Sequence, residues 1–178
     1  MIYYYVRIYS VKFGHKISKM KFRNLLLILL LAITFQVKAQ QPTLLPQFTF
    51  YRLDGKAFSN TDIKQGKKNL FILFDCTCAH CQRESKILNT NYAKFKNVNI
   101  YMITMDEGYI IPQFFDSYAK GLNSKPNVLV LQDKKRIFIP TFLPKKYPSM
   151  YLYSPAGKLL MYQSGDGVIN KLMTVVNK

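Results

Sequence analysis

The chain has 178 residues, 49% of them hydrophobic and 15% aromatic, and a formal net charge of +17. Seven of its 26 Lys and Arg lie in the first 39 residues, which hold no acid, so the rest keeps 19 basic against nine acidic residues, a net +10. That length suits one domain of ordinary size. The lysines (Lys64, Lys67, Lys68, Lys94, Lys96, Lys134, Lys135, Lys145, Lys146) are scattered rather than gathered on one reading helix. This argues against a nucleic-acid partner and for a solvated basic surface that leans on anionic membrane or acidic partners.

The first 39 residues read as a leader. Lys19 to Arg23 is a basic cluster, residues 25–35 form an 11-residue apolar run, and Val37-Lys38-Ala39 offers a small-residue cleavage site. Basic start, short apolar core and small-residue site are the parts of a secretory signal. A membrane-spanning helix needs about 20 residues, so an uncleaved anchor is the lesser expectation. No cysteine follows the run, against a lipoprotein. Met20 makes a better start than Met1, because a signal beginning there has ordinary proportions. The expected division is therefore leader and signal over 1–39 and a folded domain over 40–178. An exported chain, in a bacterium one reaching the periplasm, lives where disulfides persist.

Within 40–178, residues 41–46 read as an extended lead-in and 48–52 as a strand. Asp54-Gly55 is a hairpin-type turn signal, and Ser59 to Asp62 can cap a short helical turn. Residues 69–74 are a continuous apolar run of strand length, as for a strand buried on both faces. The cysteine segment follows, then a helix expected over 82–95. Residues 97–105 are a second buried strand and 112–122 a helix with Pro112 in its first turn. Residues 127–131 form a third strand. Residues 133–148, with three prolines, have no clean period and read as irregular with at most one helical turn. A strand over 149–153, a Ser-Pro-Ala-Gly turn, a returning strand over 158–163 and a last helix over 168–176 complete the chain. Alternation of strand and helix argues an α/β sheet covered on both faces.

All three cysteines fall in Phe74-Asp-Cys-Thr-Cys-Ala-His-Cys-Gln-Arg-Glu84. Three cysteines within six residues cannot staple distant parts of a fold, so they are candidates for chemistry. Cys78 and Cys81 follow a buried strand and open a helix, which places both thiols on one side of its first turn. Unpaired N–H groups and the positive end of the helix dipole favour a thiolate there. Cys78 is the expected exposed nucleophile, and Cys81, one turn deeper, the resolving thiol. His80 stands between them, as a donor to the Cys78 thiolate or as a plain exposed helix residue. Cys76 has three readings: a buried core thiol, a third redox thiol, or a ligand. In the last, Cys76, Cys78, Cys81 and His80 together would hold copper or another soft metal, as in a metallochaperone.

Strand, C-x-x-C and helix resemble the thioredoxin superfamily, in particular its exported TlpA/ResA-like branch. Phe74, Cys78, Cys81 and Glu84 stand at matching places. Tyr147-Pro148, followed by Ser-Met-Tyr-Leu-Tyr-Ser-Pro-Ala-Gly157-Lys158, matches the family's cis-proline and hairpin phrase. The resemblance covers about residues 42–177. It implies a thioredoxin-like fold, a central mixed sheet flanked by helices behind an N-terminal signal segment. It also implies thiol–disulfide exchange with protein disulfides or dithiols, no cofactor, and Tyr147 and Pro148 as the surface that meets a partner's backbone. A membrane electron donor would make the protein a reductase, the direction the likeness favours; a source of disulfides would make it an oxidase. There are departures. Thr77 replaces the usual aromatic before the first cysteine, and Cys76 stands where many relatives have proline. Ile72 replaces thioredoxin's buried acid, leaving Glu84 as the nearest substitute for proton relay. A peroxide-reducing relative usually needs Thr and Pro just ahead of its cysteine, and Thr77 alone does not supply that.

Overall fold

The computed structural model describes residues 21–24, 26, 27 and 40–176. The chain divides into two units, Met1–Ala39 and Gln40–Lys178. In the first, residues 21–24, 26 and 27 are helical, and the apolar run and cleavage site expected of a signal lie almost wholly outside the described residues. No helix among the described residues is long and apolar enough to cross a membrane.

The second unit begins with a hairpin of β1 (Thr49–Arg52) and β2 (Ala57–Ser59). Gly55 turns it with φ +86°, a left-handed conformation that costs glycine little. Ser59 and Asp62 form the expected cap: the Asp62 carboxylate accepts the Ser59 N–H at 2.8 Å and starts a single 3-10 turn. Then come β3 (Lys68–Leu73), α1 (Ala79–Thr90), β4 (Val98–Thr104), α2 (Ile110–Tyr118) and β5 (Val128–Gln132). A short α3 (Phe138–Phe142), the hairpin β6 (Ser149–Tyr153) and β7 (Leu159–Ser164), and α4 (Val168–Met173) follow. The seven strands make one mixed sheet in the order β2-β1-β5-β4-β3-β6-β7. The parallel pairs are β3/β4 and β4/β5, and the other neighbours are antiparallel.

The helices differ from the expected spans: α2 covers Ile110–Tyr118 rather than 112–122 and α4 Val168–Met173 rather than 168–176, and α1 and α3 differ for local reasons. α1 stops at Thr90 because the Asn91 carboxamide donates to the Ile87 carbonyl at 3.0 Å, and the chain leaves as a 3-10 turn that still buries Phe95. Within the stretch expected to be irregular, the buried Asp133 carboxylate accepts the N–H groups of Ile137 and Phe138 at 3.0 and 2.7 Å. Those bonds start α3. Pro140 fits in its first turn, where a missing N–H has no partner to lose.

Strand alternation divides the core in two. Leu70 and Ile72 of β3, with Ile100 and Met102 of β4, face α1, α2 and α4. Phe71, Leu73, Tyr101 and Ile103 face the other way, into an aromatic layer with Phe50, Phe138 and Phe142. In that layer the Phe138 and Phe142 rings stack 4.2 Å apart. With both faces covered, β3 is apolar at every position from Leu70 to Leu73, which is why its sequence does not alternate there. Its carboxyl end, between β4 and β6, opens onto the cysteines.

Candidate active site

The Asp75–Cys78 turn is wound around one carboxylate. Asp75 Oδ1 accepts the Thr77 N–H at 2.7 Å and the Thr77 hydroxyl at 2.6 Å, and the Asp75 carbonyl accepts the Cys78 N–H at 3.3 Å. Asp followed two residues later by Thr is the sequence of such a turn. Cys78 then caps α1: its backbone is extended, with φ −75° and ψ 115°, and its carbonyl accepts the Gln82 N–H at 3.0 Å. The Gln82 side chain closes the loop by donating to the Cys76 carbonyl at 3.0 Å.

The three thiols are free and differ in burial. Cys78 is half-buried at the helix mouth, while Cys81 is 0% and Cys76 5% exposed. Cys81 Sγ lies 3.5 Å from the Asp75 backbone N–H, in the range of a weak hydrogen bond to sulfur. Burial holds the Cys81 thiol well above the ordinary range; the Asp75 N–H works against the shift, and the neighbouring Cys78 and Asp75 side chain add to it. Burial likewise raises the Cys76 thiol, and the Asp106 carboxylate beside it adds to the effect. Asp106 Oδ2 accepts the Cys76 N–H at 2.7 Å and the Thr104 hydroxyl at 2.9 Å. Of the readings open for Cys76, its place is that of a core thiol backed by an acid.

Pro148 is brought to the cysteines by register. Ser149 of β6 pairs with Leu73 of β3, so Pro148 stands beside the chain as it leaves β3 for Asp75. The Tyr147–Pro148 peptide bond is cis. Tyr147 is partly buried and packs against both core layers. Burial first, then the Asp75, Cys81 and Asp106 side chains, raise its phenol.

His80 lies exposed on α1, the second of its two readings, and Glu84 sits differently from expectation. His80 Nδ1 lies 2.6 Å from Asp166 Oδ2 and 2.7 Å from an Arg83 guanidinium nitrogen; Arg83 also reaches Asp166 Oδ1 at 2.6 Å. These bonds hold the Asp166 carboxyl below its usual range, His80 contributing most. Among the described residues His80 makes no hydrogen bond to Cys78. Glu84 is 2% exposed, and both its oxygens are taken: Oε1 accepts the Gly167 N–H at 2.6 Å and Oε2 the Ile169 N–H at 2.9 Å. It caps α4 and pins it to α1, so it has no free oxygen for proton relay. The expected soft-metal set is not assembled either. His80 turns to Asp166 and Cys76 to Asp106, and among the described residues no group of three or more His, Cys, Asp or Glu could hold a metal ion.

The acids Asp75, Asp106 and Asp166 were not expected at the site. Asp75 was legible as a turn former, and Asp166 lies in a Gly-Asp-Gly break. Asp106, just past a buried strand, carries no local signal.

A cysteine pair at the mouth of a helix, in this sheet order, defines a thioredoxin-like oxidoreductase. The chain belongs to the AhpC/TSA family, whose sequence profile matches residues 43–160. No curated protein matches it in sequence. Among solved structures, a candidate thioredoxin from Neisseria meningitidis is 27% identical, with a TM-score of 0.59 over 78% of this chain and 89% of that one. The thioredoxin domain of a thiol-disulfide oxidoreductase from Bacteroides vulgatus is 23% identical, with a TM-score of 0.59 over 79% and 100% of the chains. A secreted disulfide oxidoreductase from Mycobacterium tuberculosis is 20% identical, with a TM-score of 0.59 over 74% and 95%.

Proposed function

We propose that this chain is an exported thiol–disulfide oxidoreductase in which Cys78 attacks and Cys81 resolves. The observation that carries the reading is the difference in access between the two sulfurs: Cys78 half-buried at the helix mouth, Cys81 fully buried one turn in. A partner's disulfide can reach only the first. The Cys78 thiolate displaces one partner sulfur as a thiolate and forms a mixed disulfide. Cys81 then loses its proton, attacks Cys78 and releases the second partner sulfur. The partner gains two electrons, and the site closes as a Cys78–Cys81 disulfide.

Cys81 starts as a buried, neutral thiol, so the second step needs a proton acceptor. The Asp75 carboxylate, whose charge acts on the Cys81 thiol and whose Oδ2 accepts neither of the Thr77 bonds of the turn, is that acceptor, in place of Glu84. Tyr147 and Pro148 line the surface a partner's backbone crosses. The leader-like first 39 residues support export, and the secreted relative agrees with it. Reduction of partners, with electrons from a membrane dithiol donor, is the direction the exported TlpA/ResA likeness supports.

Insulin-disulfide reduction by the full chain tests the roles. Cys78→Ser abolishes turnover, Cys76→Ser keeps it within about threefold, and Asp75→Asn slows it about tenfold while mixed disulfide accumulates. Loss of turnover in Cys76→Ser would make Cys76 a working thiol and overturn the assignment.

A further inference from the structure

The opposite end of the parallel strands holds a second concavity. Its volume is about 590 Å³, and among the nine described residues lining it four are lysines (Lys64, Lys67, Lys96, Lys125) and none is acidic. The lysines come from the turns before β3, β4 and β5, far along each strand from the cysteine end. We propose that this cleft is a binding site for a phosphate-bearing ligand, independent of the thiol chemistry.

The cleft is organised by bonds within the chain. Lys64 Nζ donates to the Pro126 carbonyl at 3.2 Å, and Lys67 Nζ to the Lys96 carbonyl at 3.5 Å. An ammonium has three donors, so each of these keeps two for a ligand. Lys125 Nζ lies 5.2 Å from the centre of the Tyr92 ring, which holds it by a cation–π contact. The floor is rigid and neutral. Asn99, 3% exposed, donates to the Lys64 carbonyl at 2.8 Å and the Asn69 side chain at 2.9 Å. Asn127 donates to the Phe95 and Val98 carbonyls at 2.9 and 2.7 Å and accepts from the Tyr92 hydroxyl. Amides spent on backbone fix the walls without cancelling the charge above them.

Four ammonium groups around one cleft repel each other, and a single carboxylate offsets only one of them. A phosphate ester or diphosphate carries several charges on one compact group, which lysine meets as a point charge. The cleft is larger than one phosphate needs and falls in the size range of small-molecule sites, about 300–1,000 Å³. The ligand is thus a phosphorylated small molecule or the headgroup of an anionic lipid.

The test uses the full chain, inorganic pyrophosphate as the free probe, and phosphatidylglycerol against phosphatidylcholine vesicles. Pyrophosphate should move the amide resonances of 64–69, 96–99 and 125–127 ahead of those around Lys134 and Lys145. Lys67→Glu with Lys96→Glu should weaken binding about tenfold or more, and insulin reduction should stay within twofold. Both lysines are exposed, and Lys96→Ala with Lys125→Ala removes charge without reversing it. Response to pyrophosphate alone assigns a soluble ligand; sedimentation with phosphatidylglycerol vesicles, lost in the variants, assigns a headgroup. Shifts spread evenly over all surface lysines, no response to either probe, or unchanged binding in both double variants would overturn the proposal.

Discussion

Each of the three parallel strands has an asparagine near its amino end and an aspartate just past its carboxyl end: Asn69 and Asp75 on β3, Asn99 and Asp106 on β4, Asn127 and Asp133 on β5. The asparagines both give and take hydrogen bonds, and they bridge carbonyls of neighbouring turns. The aspartates only accept, and they gather the N–H groups of Cys76, Thr77, Ile137 and Phe138 where strands turn toward helices. Two ends built by the same economy of backbone pairing therefore differ in charge. Neutral amides leave the lysine end cationic, while at the cysteine end carboxylates add to the burial that already favours the protonated form of Cys76 and Cys81. The lesson is that the group chosen to satisfy a turn also sets the electrostatics of the cleft beside it.

The comparison breaks most visibly when a buried carboxylate is removed. Asp133→Ala strips two N–H groups at the start of α3 of their acceptor in a site 1% exposed. Glu84→Ala does the same to Gly167 and Ile169 at the start of α4. Each should cost about 3 kcal/mol in urea unfolding. A loss under about 1 kcal/mol would mean that water replaces the carboxylate freely. At the opposite end Asn99→Ala removes bonds from a neutral group, and its cost should be smaller, about 1–2 kcal/mol. Equal losses at the two ends would remove the distinction between charged and neutral turn formers.

Much of this frame could be read from the sequence, and what could not has a physical cause. The apolar runs of β3, β4 and β5 announced a doubly covered sheet, because strands buried on both faces are apolar along their middles, with polar residues only at their ends. Cys78 and Cys81 announced the helix mouth. The profile match and the sheet order agree with the thioredoxin resemblance. The one helical turn allowed for 133–148 is α3, but its place was hidden because its start is fixed by Asp133, a buried side chain whose effect periodicity does not register. His80 was read by proximity in sequence, yet Asp166, 86 positions later, is the group that binds it. Glu84 fits the family pattern, but its N–H partners lie in α4, which no local window reaches. Long-range polar pairing, rather than apolar pattern, is what escaped.

Alkaline pH sharpens the cysteine end of the comparison. The buried Cys81 and Cys76 thiols keep their protons in the folded chain at pH values where an unfolded thiol, with a pKa of about 8.5, has lost its own. The folded state then binds more protons than the unfolded one. The stabilising contribution is complete below about pH 8.5 and is lost as pH rises past it. Closing the Cys78–Cys81 disulfide removes two of the three thiols from this balance. Urea midpoints measured from pH 7 to 10 should fall faster for the reduced protein than for the oxidised one, with Cys76→Ala flattening the remaining slope. Parallel slopes in the two redox states would show that Cys81 is not a buried neutral thiol.

The smallest expected effect tests the exposed triad. The His80, Arg83 and Asp166 side chains are each about half exposed, at 51%, 56% and 49%, and exposed ion pairs contribute little. Their interest is positional: Asp166 holds the imidazole on the α4 side, away from a bond to Cys78. Asp166→Asn keeps a hydrogen-bonding side chain but removes the charge, which frees His80 to swing. Insulin reduction and the Cys78–Cys81 equilibrium with glutathione should each change by less than about threefold, and His80→Ala should change them no more. If His80→Ala instead cost tenfold while Asp166→Asn gained activity, the imidazole would be serving the Cys78 sulfur in turnover, and the carboxylate would be restraining it.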